Sequence, residues 1–350
     1  MYSSMIIPAL LAGASALPAV HQIATRDNST CFPWGSATLD KSNAAPSVPR
    51  SDWWCGQDTM YGFLGFSYPL EGGCGDDGYS GINSDFAAMK RDFGATLVRI
   101  YLPECYTTTI WKNVLKAAIN NNMGVIMQVA WPLNGDPDSS WKGTQASILS
   151  VLGSGTYADI APYVIHSIEF GTEPIGDGDD GDNFINDLIS FRSKVKPYKI
   201  PVGISEDWDR PGTMSGTNDV GLGPTGKQIL ANSDVVHAHI MPYYHNNLKE
   251  AQAWGYISSQ VAWYKKNINL PTLISETQWA WAANDGHAGG DGDVGIPQYT
   301  NYWKTYDNNC EFFKTNNIGW FLHTWSGEGA FDMVGDNGQY VIPNWRPQRC

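Results

Sequence analysis

The chain has 350 residues and a formal net charge of −13, because 35 Asp and Glu outnumber 22 Lys and Arg. An acidic surface repels polyanions, which argues against nucleic acid and anionic membranes as partners. The length fits one barrel-sized domain of about 250 residues with insertions, and we expect a monomer.

The first residues predict a secretory signal peptide over residues 1–16. The apolar run Met5–Gly13 is too short to span a bilayer, and it leads into Ala14-Ser15-Ala16, a small-residue pattern typical of signal cleavage. We expect residues 17–58 to form a lead-in that carries the glycosylation sequon Asn28-Ser29-Thr30, and 59–350 to form the main domain. The protein is therefore predicted to be secreted and extracellular, with association to a cell wall left open.

The six cysteines indicate an oxidising compartment, because an even number without a CxxC metal pattern is typical of disulfide-bonded secreted proteins. We expect them to staple loops and termini. Cys74 and Cys105, which follow the first two predicted strands, are one candidate pair. Either Cys31 or Cys310 could hold the terminal Cys350.

Eight apolar stretches rich in β-branched and aromatic residues predict strands, and they alternate with helical patterns. The strands are Tyr61–Tyr68, Thr96–Leu102, Gly124–Ala130, Val164–Thr172, Pro201–Ser205, Val235–Met241, Thr272–Glu276 and Ile318–Trp325. The helices are Ile82–Phe93, Thr109–Asn122, Ser140–Leu152, Asn183–Lys194, Lys227–Ala231, Leu248–Asn267 and Gln298–Asn316. Strict alternation with eight strands predicts an α/β fold, a single (β/α)8 TIM barrel.

Two glutamates stand where predicted strands end. Glu173 follows strand four and Glu276 closes strand seven. Barrel enzymes place reacting groups at the carboxyl ends of strands, and glycoside hydrolysis needs two carboxyl groups that face each other across the scissile bond. A lone glutamate there would more often form a salt bridge, but the pair favours a glycosidase site. Glu169 and Glu206 are rival candidates.

Polar residues on neighbouring strands extend the candidate site. Arg99 and Tyr101 share one face of strand two, and a buried Arg99 needs a carboxylate, either at the barrel mouth or in a structural pair deeper in the barrel. His239 on strand six and Tyr243 just after it are candidate sugar contacts. His237 and His239 have no third metal ligand at a convincing spacing, so neither a metal nor a cofactor is expected.

Aromatic residues are frequent, with 15 Trp and 17 Tyr. Trp131, Trp279 and Trp325 stand at strand ends, where they would either stack on sugar rings or fill the core. The acidic segment Asp177–Asp182 departs from the EF-hand calcium pattern and is interpreted as a solvated loop.

Three segments carry a family resemblance: Gly94–Tyr101, Asp234–Tyr244 and Ser275-Glu276-Thr277-Gln278-Trp279. With them the chain resembles glycoside hydrolase family 17, specifically fungal secreted β-1,3-glucanases and glucanosyltransferases. The resemblance implies that Glu173 is the acid/base, that Glu276 is the nucleophile and that the anomeric configuration is retained. The chain departs from the family pattern at Thr172, Gln278 and Ala280, which replace the usual Asn, Gly and Pro. The usual Asn binds a sugar 2-hydroxyl, so Thr172 becomes a candidate substrate contact.

The expected activity is hydrolysis of a β-glucan, most strongly a β-1,3-glucan. The sequence leaves three alternatives open. The same residues would serve transfer to a sugar hydroxyl, a related barrel could cleave β-1,4-glucan or mannan, and a secreted protein could bind carbohydrate without turnover.

Overall fold

The computed structural model describes residues 29–70, 78–101, 107–131, 140–176, 183–245, 247–283 and 293–349. The predicted signal peptide, the segment Asp177–Asp182, and Cys74, Cys105 and Cys350 lie outside the described residues.

Eight parallel strands close into a barrel in chain order, and β8 pairs with β1. They are β1 Gly62–Pro69, β2 Leu97–Tyr101, β3 Gly124–Val129, β4 Ile165–Thr172, β5 Val202–Asp207, β6 Val235–His239, β7 Thr272–Glu276 and β8 Gly319–Leu322. The predicted (β/α)8 barrel is confirmed. Its strands are buried almost throughout, as expected for parallel strands that face a filled barrel on one side and helices on the other.

Ten α-helices occur among the described residues, most of them in a ring around the barrel. They are α1 Arg50–Trp53, α2 Tyr79–Ala88, α3 Thr108–Asn121, α4 Ser140–Gly153, α5 Ala161–Val164, α6 Phe184–Val195, α7 Pro224–Ala231, α8 Glu250–Asn267, α9 Ile296–Asn308 and α10 Cys310–Asn316. The predicted single helix Gln298–Asn316 is wrong, because Asn309 leaves the helical conformation and separates α9 from α10. None of these helices has the length and apolar content needed to cross a membrane.

Helix α3 shows why the sequence folds this way. Trp111, Val114 and Ala118 recur at helical spacing and are fully buried, which is the pattern of an amphipathic helix laid on a core. The helix ends at Asn122, whose left-handed φ of 52° lets the chain turn into β3.

The segment before β1 lies against the amino-terminal side of the barrel. Arg50 donates hydrogen bonds to the carbonyl oxygens of Pro162, Ile165, His166 and Lys199. A disulfide joins Cys31 to Cys55, so the proposed pairing of Cys31 with Cys350 is wrong. Cys310 is also in a disulfide.

Candidate active site

A cavity of about 480 Å³ opens at the carboxyl end of the barrel. It is lined by Tyr101, Thr172, Glu173, Asp207, Arg210, His239, Met241, Tyr244, His245, Glu276, Gln278, His323, Glu328 and Phe331. These residues come from the ends of strands and the loops that follow them, where barrel enzymes build their sites.

A larger groove of about 600 Å³ lies near the starts of β5 and β6 and is lined by Arg192, Lys196 and Asp234 among others. Its carboxylate, Asp234, already forms an ion pair with Arg192 at 2.5 Å. The groove therefore lacks the facing carboxylates found in the smaller cavity, and we place the candidate site in the latter.

Glu276 projects from the end of β7 into the cavity. Its Oε2 accepts a hydrogen bond from Arg99 Nη1 at 2.9 Å and lies 3.6 Å from His239 Nε2. Burial raises the pKa of this carboxyl, but electrostatic interactions with His323, His239 and Arg99 outweigh burial and lower the pKa to about 2. Glu276 is therefore ionised across the ordinary pH range, as a nucleophile must be.

Arg99 is fully buried on β2 and links two carboxylates. Its Nε contacts the Glu169 oxygens at 2.9 and 3.1 Å, while its Nη1 reaches Glu276. The two partners that the sequence left open are thus both present, one at the mouth and one deeper in the barrel. Glu169 also accepts from Gln128 Nε2 and His237 Nδ1, each at 2.7 Å, and does not line the cavity.

Glu173 follows β4 in a left-handed backbone conformation with φ of 44°. Non-glycine residues at such φ values are costly and cluster at active sites. Its Oε1 accepts from His239 Nδ1 at 2.6 Å, and its Oε2 accepts from Arg210 Nη2 at 2.7 Å. Burial raises the pKa of this carboxyl, but His239 and Arg210 together bring it below its ordinary value.

One imidazole lies between Glu173 and Glu276. His239 on β6 directs Nδ1 to Glu173, and its Nε2 lies 2.5 Å from Ser205 Oγ and 3.6 Å from Glu276 Oε2. Burial lowers the pKa of His239, but the charges of Glu276 and Glu173 outweigh burial and raise it above 6.5. Because the pKa of Glu173 is lowered and that of His239 is raised, a proton shared by the pair rests on His239 in the unliganded protein.

Glu206, the alternative catalytic candidate, holds Arg210 in place beside Glu173. It is fully buried and accepts from Arg210 Nε at 3.1 Å and from the backbone of Ile175 at 2.9 Å. Burial and the charge of Glu173 raise its pKa to about 7. Gly176 leaves room for Arg210, since a Cβ there would come within 1.9 Å of the guanidinium carbon. Glu206 thus anchors the arginine that binds Glu173.

The structure brings together only part of the predicted set of substrate contacts. Tyr101, Thr172 and His239 line the cavity, and Arg99 lies directly below it. The other four predicted residues, Trp131, Tyr243, Trp279 and Trp325, are at most 6% exposed and are not among the described residues that line it.

Packing explains the position of these four aromatics. Trp279 lies 5.5 Å from the rings of Tyr243 and Tyr302, and its indole donates to the Asp293 carbonyl oxygen. Trp325 packs on Phe66 at 5.0 Å. Trp131 packs similarly on Phe184. Position at a strand end did not reveal whether each ring turned toward the cavity or the core.

Several cavity residues lacked a usable sequence signal. Arg210 comes from the loop after β5, and Glu328 and Phe331 come from the loop after β8. Tyr244, which is 42% exposed at the rim, stands in the strand-six motif beside the residue that was chosen, Tyr243. Glu328 is held in the cavity wall by Tyr101, whose hydroxyl donates a hydrogen bond to Glu328 Oε1 at 2.8 Å.

Comparison with solved structures shows which barrels are similar. The glycoside hydrolase family 17 β-1,3-glucanosyltransferase from Rhizomucor miehei has a TM-score of 0.60 at 16% identity, covering 84% of this chain and 99% of that chain. An active-site mutant of the R. miehei β-1,3-glucanosyltransferase in complex with laminaritriose gives 0.59 at 15%, with the same coverage. A GH2 β-galacturonidase from Eisenbergiella tayi gives 0.54 at 13%, covering 81% of this chain and 49% of that chain. At these identities the likeness shows a shared fold. No match was found among curated proteins.

A protein-family model matches the sequence of the chain itself. The BtgE/BtgC glycoside hydrolase domain matches residues 65–333, which is more than half of the chain and spans every strand end that lines the cavity. The predicted resemblance to family 17 is confirmed in this divergent form. The chain belongs to the BtgE/BtgC glycoside hydrolase family.

Proposed function

We propose that this protein is a secreted retaining glycoside hydrolase that cleaves β-glucan, with β-1,3-glucan as its substrate. The observation that carries the proposal is the pair of carboxylates in one cavity, Glu173 and Glu276, with His239 between them at 2.6 Å from Glu173 and 3.6 Å from Glu276. Glycoside hydrolysis with retention uses such a pair, one member as acid/base and the other as nucleophile.

In this mechanism Glu276 attacks the anomeric carbon while Glu173 protonates the glycosidic oxygen. The aglycone leaves, and a glycosyl ester remains on Glu276. Glu173 then takes a proton from water, which attacks the ester and releases the sugar with its original configuration.

The acid requires a proton that Glu173 does not hold in the free protein. His239 supplies it across the 2.6 Å hydrogen bond from Nδ1 to Glu173 Oε1. The negative charge of Glu276 contributes to the raised pKa of His239. As Glu276 bonds to carbon it loses that charge, the pKa of His239 falls, and the proton moves toward Glu173 and the leaving oxygen. Proton delivery is thereby coupled to nucleophilic attack.

The cavity wall favours a neutral sugar. Four carboxylate side chains, Glu173, Asp207, Glu276 and Glu328, line it together with Arg210 and three histidines. A uronic acid would meet like charge there. Tyr244 and Phe331 add aromatic surface on which sugar rings can stack. The family 17 structure solved with laminaritriose supports the β-1,3 linkage.

Transfer to a sugar hydroxyl is the second candidate, because the two most similar structures described above are glucanosyltransferases. The mechanism is the same through the glycosyl ester. Attack by water on this ester gives hydrolysis, whereas attack by a sugar hydroxyl gives transfer.

The test is release of reducing ends from soluble β-1,3-glucan by wild type, Glu276→Gln and Glu173→Gln, with products sized by mass spectrometry. Hydrolysis predicts shorter products, transfer predicts longer ones, and both require that Glu276→Gln be inactive. Proton NMR of the first product should show the β-anomer. Activity only on β-1,4-glucan or mannan would refute the linkage. Binding without turnover, unchanged in Glu276→Gln, would refute the enzyme.

A further inference from the structure

Two buried polar atoms beside the proposed nucleophile have no hydrogen-bond partner among the described residues. They are Gln278 Oε1, just after β7, and His323 Nδ1, just after β8. Both residues are only 4% exposed, and both line the cavity. A buried polar atom left unsatisfied costs about 1–3 kcal/mol, so such atoms are rare unless a ligand completes them.

The geometry places the two atoms in one wall. The backbone N–H of His323 donates to the Thr277 carbonyl oxygen at 3.3 Å, which holds the two strand ends side by side. His323 Nδ1 lies 3.9 Å from Glu276 Oε2. The Gln278 side chain is fixed from outside, because its Nε2 donates to the Tyr244 hydroxyl at 3.2 Å. The amide oxygen is thereby left as the free end.

We propose that Gln278 and His323 form a hydroxyl-binding subsite next to Glu276, in which the amide oxygen accepts a hydrogen bond from a sugar hydroxyl. The ligand is a neutral sugar unit with two neighbouring hydroxyls, one for each side chain. This inference rests on the proposed function for the identity of the sugar, but the hydroxyl chemistry follows from the wall itself.

Charge around the subsite supports a neutral ligand. Glu276 and Glu328 both face it, and the Tyr101 hydroxyl already occupies one Glu328 oxygen. Burial lowers the pKa of His323 and keeps its ring neutral, so the imidazole offers a hydrogen bond without a cation. A sugar carboxylate at this position would face two carboxylates without a dedicated positive charge.

The experiment compares wild type, Gln278→Ala and the control Gln339→Ala, a glutamine exposed on the surface. The substrates are aryl β-laminaribiosides in which single hydroxyls of the reacting sugar unit are replaced by hydrogen. We expect Gln278→Ala to lower kcat/KM on the parent substrate by about 10- to 100-fold. One deoxy substrate should be poor for wild type and no worse than the parent for Gln278→Ala. Gln339→Ala should behave like wild type.

Two further measurements separate this subsite from the activity and from a structural role. Affinity for the same sugars, measured calorimetrically on Glu276→Gln with and without Gln278→Ala, should fall about 10-fold even if turnover is absent. Circular dichroism should show that Gln278→Ala is folded at the assay temperature, although loss of the hydrogen bond to Tyr244 lowers its Tm. Unchanged affinity, or unchanged discrimination among the deoxy sugars, would overturn the proposal.

Discussion

Replacing Arg99 with methionine leaves two buried carboxylates, Glu169 and Glu276, without the guanidinium that they share. Breaking a buried ion pair by removing one partner costs about 3–5 kcal/mol, because the remaining charge stays buried without compensation. Both carboxylates have a pKa lowered from 4.5 to about 2. A shift of that size corresponds to about 3 kcal/mol of stability for each carboxylate.

The effect has a defined pH dependence. A carboxyl whose pKa is lowered on folding stabilises the protein fully above pH 4.5, its ordinary pKa. This stabilisation is lost as the pH falls through 2, its pKa in the folded protein. At pH 3 only about 1 kcal/mol per carboxylate remains in wild type. The Arg99→Met variant lacks most of this stabilisation at both pH 7 and pH 3. We therefore expect a destabilisation of about 3–5 kcal/mol at pH 7 that shrinks at pH 3.

The assay is urea unfolding followed by tryptophan fluorescence at both pH values, after confirming that the protein refolds on dilution. The matched control is Arg99→Met with Glu169→Gln, which removes one stranded charge and should recover at least half of the loss at pH 7. A loss below about 1 kcal/mol, or one equal at pH 7 and pH 3, would refute the assignment of Arg99 as the shared counter-ion.

Three other perturbations have expected outcomes. In wild type the alkaline limb of the pH profile of kcat/KM should lie above pH 6.5, where the pair formed by Glu173 and His239 loses its last proton. His239→Gln should move this limb at least about one pH unit lower. An unmoved limb would exclude the shared proton. Arg210→Gln should raise the pKa of Glu173 in a carbon-13 NMR titration, since a positive charge 2.7 Å from Oε2 is lost; a lowered value would contradict this. Replacing Cys31 and Cys55 by serine opens a loop with a sequence separation of 24, and the free energy of unfolding should fall by about 3 kcal/mol in urea; no change would show that packing alone holds the segment.

Much of the fold could be predicted because local pattern and tertiary environment agree. Strands such as β3, Gly124–Val129, are short apolar runs, and burial on both faces is what a barrel strand requires. The same logic placed Glu276, since an apolar run that ends in a carboxylate must put it at the barrel mouth. The break at Asn309 was missed because one polar residue inside a helical pattern carries little signal.

The support of the site could not be predicted from pattern. Arg210 reaches Glu173 across 37 residues from a loop without periodicity, and nothing local marks that contact. Strand-end tryptophans such as Trp279 turned into the core, where ring contacts with Tyr302 and a buried indole hydrogen bond hold them. Sequence position fixes the strand end, but side-chain direction depends on neighbours from other elements.

The most direct test of the central claim is covalent trapping of the glycosyl intermediate. The protein is incubated with 2-deoxy-2-fluoro-β-laminaribiosyl fluoride. The fluorine at C2 slows both chemical steps, but the anomeric fluoride leaves fast enough for the sugar to accumulate on the nucleophile. The labelled peptide is then identified by mass spectrometry. The account predicts one sugar per chain, attached to Glu276. A label on Glu173 or Glu206, or turnover of the glucan with no adduct formed, would contradict it.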